Sequence, residues 1–296
     1  MPTALGDIYS VHFAEVPESK GVGFAVGSHG RIYRSSDSGT TWQYIPYSGG
    51  ENHKAVAFKD SMVGLIGGEG GYIYRTNDGG QNWSVQITCC NPWRVIQLVW
   101  VNDQCVFAIL SNGKLLRSLD GGFTFPPLNN TGSFQVRQIT ACPGGRLVWE
   151  STDNQLRYSD NLGDAWVVTN SPLGPTGGRP KFIFLSPNDW IASWFTGLGG
   201  TTYQSTNAGQ TWNGINQLKM FRSTQWVYSR KSGKIFGFYD DWDTLYISSD
   251  TLKTVQKIKQ KFSNVYSGVM DIANKELSFF GKYFNLHLGL CLMDPN

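Results

Sequence analysis

Ser35-Ser36-Asp37-Ser38-Gly39-Thr40-Thr41-Trp42 recurs down the chain with small changes. The later copies are Thr76-Asn77-Asp78-Gly79-Gly80-Gln81-Asn82-Trp83, Ser118-Leu119-Asp120-Gly121-Gly122-Phe123-Thr124-Phe125, Ser159-Asp160-Asn161-Leu162-Gly163-Asp164-Ala165-Trp166 and Ser205-Thr206-Asn207-Ala208-Gly209-Gln210-Thr211-Trp212, with a worn sixth, Ser248-Ser249-Asp250-Thr251-Leu252-Lys253-Thr254-Val255. Their third positions, 37, 78, 120, 161, 207 and 250, are 41, 42, 41, 46 and 43 residues apart. A period in this range means one supersecondary unit repeated, as in propellers and solenoids.

Each octet reads as a hairpin turn with an apolar plug. The short Asp or Asn side chain accepts backbone N–H groups inside its own turn, Gly supplies positive φ, and the terminal aromatic drops into the core. Between copies the sequence alternates with period two, as antiparallel strands do. In the first unit Ile8–Phe13, Gly21–Gly27, Arg31–Arg34 and Trp42–Ile45 are expected as four strands, and the script repeats through Ile258 to give six complete units. Val265–Ile272, Glu276–Phe280 and Phe284–Leu290 supply three more strands, and Pro2–Leu5 a fourth from the other chain end, which would close a ring and remove its exposed edges. The expected fold is all-β: a single domain over 1–296, a seven-bladed β-propeller of four-stranded antiparallel blades, with six blades as the alternative.

The octet resembles the Asp-box, the S-x-D-x-G-x-T-W turn of sialidases, sortilin-type receptors, oligoxyloglucan-type glycoside hydrolases and photosystem II assembly and stability factors. That resemblance implies that the box joins the third and fourth strands of a blade, away from the ligand face. It makes Asp37, Asp78, Asp120, Asn161, Asn207 and Asp250, with Trp42, Trp83, Trp166 and Trp212, structural residues with no chemistry assigned.

Composition agrees. The chain has 296 residues with 35 Gly, 14% aromatic and only 16% charged, which suits many short strands and turns around a sizeable core. A net charge of +3 gives no general field for nucleic acid or membrane surfaces. The start, Met1 to Asp7, lacks the basic and apolar regions of a secretory signal, and no apolar run approaches a membrane span. Cys105, Cys142 and Cys291 lie in apolar strand-like runs and read as buried free thiols, while Cys89-Cys90 sits in a loop without partners for a metal site. No metal or cofactor is expected.

The loops joining second to third strands, and those leading from one blade into the next, gather opposite the boxes and form the expected working face. Two features there are candidates for a ligand or partner. Asp240-Asp241-Trp242-Asp243 sets carboxylates around an indole, as a cation or sugar site would, or is a solvated turn. Trp93-Arg94 sets a flat apolar surface beside a planar cation, as interface anchors do, or packs between blades. Of the four histidines only His29 and His53 fall in these loops, and neither belongs to a nucleophile motif.

Three functions follow. A sialidase-like or xyloglucan-cleaving enzyme needs two facing carboxylates, for which Glu69 with Asp241 or Asp153 is the best pair, but the Arg-Ile-Pro of sialidases is missing. An assembly scaffold resembling the photosystem II factors is the second. The third, favoured by the absent export signal, is a non-catalytic binding or structural module of a bacteriophage virion, a tail or host-attachment protein made in the host cytoplasm. Its partners would be other virion proteins or a host surface glycan, with neither nucleic acid nor membrane insertion.

Overall fold

The computed structural model describes residues 7–14, 21–47, 49–87, 91–132, 135–142, 144–170, 172, 181–196, 199–215, 223–228, 233–239, 244–249, 251–252, 254, 256–259, 265–271, 276–281 and 285–288. Seven antiparallel sheets follow one another along these residues, each strand pairing with its neighbour in sequence. They are β1(Ile8–Phe13)–β2(Gly23–Gly27)–β3(Ile32–Ser35)–β4(Gln43–Ile45); β5(His53–Phe58)–β6(Gly64–Gly68)–β7(Tyr72–Thr76)–β8(Ser84–Ile87); β9(Val95–Trp100)–β10(Val106–Leu110)–β11(Leu115–Ser118); β12(Val136–Ala141)–β13(Leu147–Ser151)–β14(Leu156–Ser159)–β15(Val167–Thr169); β16(Lys181–Phe184)–β17(Trp190–Thr196)–β18(Gly199–Ser205)–β19(Asn213–Ile215); β20(Ser223–Tyr228)–β21(Ile235–Tyr239)–β22(Thr244–Ser248)–β23(Gln256–Lys259); and β24(Val265–Asp271)–β25(Glu276–Gly281)–β26(Asn285–Leu288). The chain divides into two compact units, Met1–Ile139 with Val269–Asn296, and Thr140–Gly268.

The third sheet departs from the expected four strands. After its box, Arg117 N–H donates to Pro126 O at 3.1 Å, Leu128 N–H to Leu115 O at 2.8 Å, and the fourth strand shrinks to one bridge between Leu116 and Pro127. Pro126 and Pro127 have no N–H to extend a ladder. The expected closing strand, Pro2–Leu5, lies outside the described residues.

Burial peaks at the second strand of the first three sheets and is lower on either side of it. β2, β6 and β10 are buried at every position, whereas β4 is largely exposed. A strand covered on both faces needs apolar residues throughout, and GFAVG, GLIGG and VFAIL supply them. Between the first two sheets Val22, Phe24, Val26 and Ile32 meet Val56, Phe58, Ile66 and Tyr74. Phe24 and Phe58 lie parallel there with ring centroids 3.4 Å apart, each ring contributing about 2 to 3 kcal/mol by burial. The glycines that open β2 and β6 make room for this. A Cβ on Gly64 would come within 2.4 Å of the Phe58 ring paired opposite it, and one on Gly23 equally close to Phe13. Side chains also tie successive first strands: Phe58 N–H donates to His12 Nδ1 at 3.2 Å, and Trp100 Nε1–H to Ala57 O at 3.2 Å.

The boxes have one hydrogen-bond pattern. The opening hydroxyl donates to the Asp or Asn Oδ1 and accepts the N–H of the fifth residue. These two bonds measure 2.8 and 2.8 Å for Ser35, 2.8 and 3.0 Å for Thr76, 2.6 and 2.8 Å for Ser118, 2.8 and 2.8 Å for Ser159, and 3.0 and 2.8 Å for Ser205. Oδ1 then accepts the N–H of the seventh residue, at 2.9 to 3.0 Å in all five. An amide oxygen does this as well as a carboxylate, which explains Asn161 and Asn207. The carboxylates gain a further donor on Oδ2, from Thr41 or Thr124 hydroxyl at 2.6 Å or Asn82 amide at 2.8 Å. Beside Asn161 that seventh residue is Ala165, with no donor to offer. Beside Asn207 the bond reverses, Nδ2 donating to Thr211 Oγ1 at 2.9 Å.

The aromatic plug corrects the sequence reading. Trp42, Trp83, Trp166 and Trp212 are only half-buried: the indole N–H of Trp42, Trp83 and Trp212 donates back to the box glycine carbonyl at 2.9, 3.0 and 3.1 Å, while Trp83 and Trp212 pack against the edge of the core clusters. Phe125, which has no N–H, is the one that enters the core. In the sixth box Asp250 is outside the described residues. There Leu252 keeps the N–H bond to Ser248 Oγ at 2.9 Å and sits at φ 65. This left-handed conformation strains a residue with a Cβ, and its complete burial against Ile183, Ile191 and Ile235 offsets that cost.

Candidate functional site

An antiparallel meander puts the box turn at one end of the strands and the turn between second and third strands at the other. In the first unit this far end is stitched by one repeated bond. Ser28 N–H donates to Asp7 O at 2.9 Å, Glu69 N–H to Asn52 O at 3.3 Å, and Ser111 N–H to Arg94 O at 2.8 Å. Each ties the β2–β3, β6–β7 or β10–β11 turn to the residue leading into its own blade. Asn52 also joins neighbouring blades: its Oδ1 accepts His29 N–H at 3.1 Å, and its Nδ2 donates to Glu69 Oε1 at 2.9 Å. The turn Glu69–Gly71 in turn touches β9, the strand that Arg94 leads into.

Sequence reasoning placed Glu69, Trp93 and Arg94 on this face, and all three lie along the rim so formed. Trp93 is 46% exposed, and Arg94 is exposed. The Arg94 backbone is held on both sides by Ser111, whose Oγ accepts its N–H at 3.2 Å. Its guanidinium makes no hydrogen bond or ion pair among the described residues. Asp240, Asp241 and Trp242 lie outside the described residues.

His53 corrects its expected place in a solvent-facing loop. It is the first residue of β5, wholly buried, with its ring 5.1 Å from Tyr47 and 5.5 Å from Tyr74, centroid to centroid. Neither ring nitrogen has a hydrogen-bond partner among the described residues. Burial drives its pKa down to about 4, and the charge of Glu51 opposes this only in part. Burial likewise raises the Tyr47 and Tyr74 hydroxyls.

Asp153, expected as one of a carboxylate pair, is committed elsewhere. Arg157, buried beneath the β13–β14 turn, donates Nη2 to Asp153 Oδ2 at 2.8 Å and Nη1 to Ser151 Oγ at 2.6 Å, and its guanidinium lies over the Trp149 ring at 4.9 Å. Burial raises the Asp153 carboxyl, but the Arg157 fork and the Ser151 hydroxyl outweigh it and hold the pKa at about 2. Arg157 lies in the third strand of its sheet, two residues ahead of a box. The ion pair needs Arg157 and Asp153 four residues apart across a hairpin, a proximity the spacing alone contains. Among the described residues no three His, Cys, Asp or Glu side chains converge as metal ligands. Cys105 and Cys142 are buried and form no disulfide among the described residues.

The model of the photosynthesis system II assembly factor YCF48 family matches residues 4–224. The chain belongs to this family. Solved members share the fold: YCF48 bound to D1 peptide superposes with a TM-score of 0.72 at 18% identity, covering 94% of this chain and 91% of that one. YCF48 from Cyanidioschyzon merolae gives 0.70 at 15% identity, covering 93% and 92%. The GH74 enzyme of Niastella koreensis gives 0.61 at 14% identity, with 96% of this chain matching 52% of that one. A xyloglucanase of Hypocrea jecorina (strain QM6a) is 28% identical over 191 residues, which is 64% of this chain and 17% of the enzyme. The chain thus spans less than a fifth of that curated relative. Family and fold together establish the Asp-box β-propeller expected from the repeats.

Proposed function

We propose that this YCF48-family propeller is a non-catalytic scaffold of the assembly-factor type that holds an extended peptide of a protein partner on the rim opposite its boxes. The observation that carries the reading is Trp93 beside Arg94. An exposed indole and a guanidinium with no ion pair among the described residues follow one another in sequence, and Ser111 pins the Arg94 backbone. Trp and Arg dominate binding energy at interfaces, and anchors already held in place lose less entropy on binding. Asn52 and Glu69 continue the rim with paired polar groups suited to peptide backbone. That the solved relative YCF48 is bound to D1 peptide supports a protein partner.

The family match favours this scaffold over the virion placement expected from the sequence. Co-sedimentation of the native protein with virus particles would reverse that preference. The commitment of Asp153 to Arg157 supports a non-catalytic role, and turnover of xyloglucan oligosaccharides by the purified chain would overturn it. The direct test is calorimetric titration with the D1 peptide. Trp93→Ala and Arg94→Ala should each weaken binding at least tenfold with unchanged circular dichroism; equal affinity in both variants, or no binding by the wild type, rejects the proposal.

A further inference from the structure

Two successive blade junctions in the first unit are built from equivalent residues and differ at one telling position. At the second junction Arg75, just before its box, donates Nε–H to the carbonyl of Gly121 in the next box at 3.0 Å, and its guanidinium covers the Phe123 ring at 4.0 Å from the centroid. At the first junction the counterparts of Arg75, Gly121 and Phe123 are Arg34, Gly79 and Gln81. With no ring at Gln81, the junction stays open as a groove of about 600 Å³, lined by Arg34, Tyr44, Ile45, Pro46, Met62 and Gln81 among others.

Three features make this groove a receptor. Tyr44 and Met62 are about half exposed, at 49% and 48%. β4, which supplies Tyr44 and Ile45, is the last strand of its sheet, so its outer N–H and C=O groups are available to an added strand. Arg34 makes no hydrogen bond or ion pair among the described residues; its guanidinium lies 5.8 Å from the Phe24 centroid. Asp78, the carboxylate lining the groove, is already taken up by Thr76 and Asn82.

We propose that this groove docks an extended segment of a partner protein, which sets an aromatic side chain against Arg34 as Phe123 is set against Arg75, with an acidic residue next to it. Charge complementarity selects this occupant. A cation without its anion attracts both the negative face of a ring and a carboxylate, and the second junction shows the same chain using a ring in that place. The groove lies at the box end of the blades, so it is separate from the Trp93–Arg94 rim and does not rest on that site.

The test uses the full chain and a fluorescein-labelled nine-residue peptide of Thr and Ser with Phe-Glu at its centre, read by fluorescence anisotropy. The wild type should bind saturably, and a peptide with Ala for Phe at least tenfold more weakly. Arg34→Ala should lose binding by a similar factor. Gln81→Phe rebuilds the second junction within the first; it should abolish binding while the melting temperature holds or rises, which separates occlusion from misfolding. Absent binding by the wild type, or undiminished binding by Gln81→Phe, overturns the proposal. Self-association in sedimentation velocity that Gln81→Phe removes would assign the groove to a second copy and overturn it equally.

Discussion

Replacing Asp120 by Asn isolates what the charge of an Asp-box contributes to stability. The carboxylate accepts Ser118 Oγ–H at 2.6 Å, Phe123 N–H at 3.0 Å, Thr124 N–H at 3.0 Å and Thr124 Oγ1–H at 2.6 Å. Burial raises its pKa, yet the hydrogen bonds from Ser118, Thr124 and Phe123 outweigh burial and bring it from an ordinary 3.8 to about 2. At 1.36 kcal/mol for each tenfold in proton affinity the charge is worth on the order of 2 kcal/mol, which partial exposure reduces to roughly 1. Because the folded pKa is depressed, this stability is complete above pH 3.8 and disappears as the pH falls through 2. Asn207 shows that an amide fills the same turn, so Asp120→Asn preserves the fold and removes the proton linkage. Urea unfolding of both proteins from pH 7 down to pH 2 should show the variant about 1 kcal/mol less stable at neutral pH and equal to the wild type near pH 2. A difference independent of pH would refute the assignment of the shift to box hydrogen bonds.

Three further outcomes follow from the same geometry. His53 must be neutral when folded: with its pKa lowered from 6.5 to about 4, stability is full above pH 6.5 and declines as the pH falls to about 4; His53→Phe should flatten that slope in acid titration of the unfolding midpoint and raise stability at pH 5 by about 1 kcal/mol. Trp83→Phe removes the indole bond to Gly80 O and should cost about 1 kcal/mol in urea, little of it from lost area. Arg157→Met leaves Asp153 without its fork and should cost about 2 to 3 kcal/mol, whereas Arg157→Met combined with Asp153→Ala should recover part of it in a double-mutant cycle.

The fold was legible because the box is a local device. A hydroxyl, a carboxyl or amide and two residues at positive φ make their turn with no help from elsewhere, so Asp37, Asp78 and Asp120 announce their hairpins. Strand positions followed from alternation, and in the third sheet Pro126-Pro127, which lack N–H groups, reduce the expected fourth strand to one bridge. The site was less legible, since its geometry is made between blades. That Asn52 joins His29 to Glu69 depends on two turns 17 and 23 residues away from it. The burial of His53 depends on Tyr47 and Tyr74 closing over it from two blades. Every described position of β5 except Lys54 is buried, and the apolar run Ala55–Phe58 that His53 leads into is the signal that would have removed it from the loop. The open groove at Arg34 becomes visible only when Gln81 is compared with Phe123 in place, although the two residues were aligned in the sequence from the start.

The central claim is that a partner peptide lies on the rim opposite the boxes. Hydrogen–deuterium exchange of the full chain with and without the D1 peptide tests it directly. The account predicts new protection in 28–30, 49–53, 68–71, 93–95 and 111–113, and none in the box turns. Protection confined to the box turns, or a pattern identical with and without peptide, would contradict it.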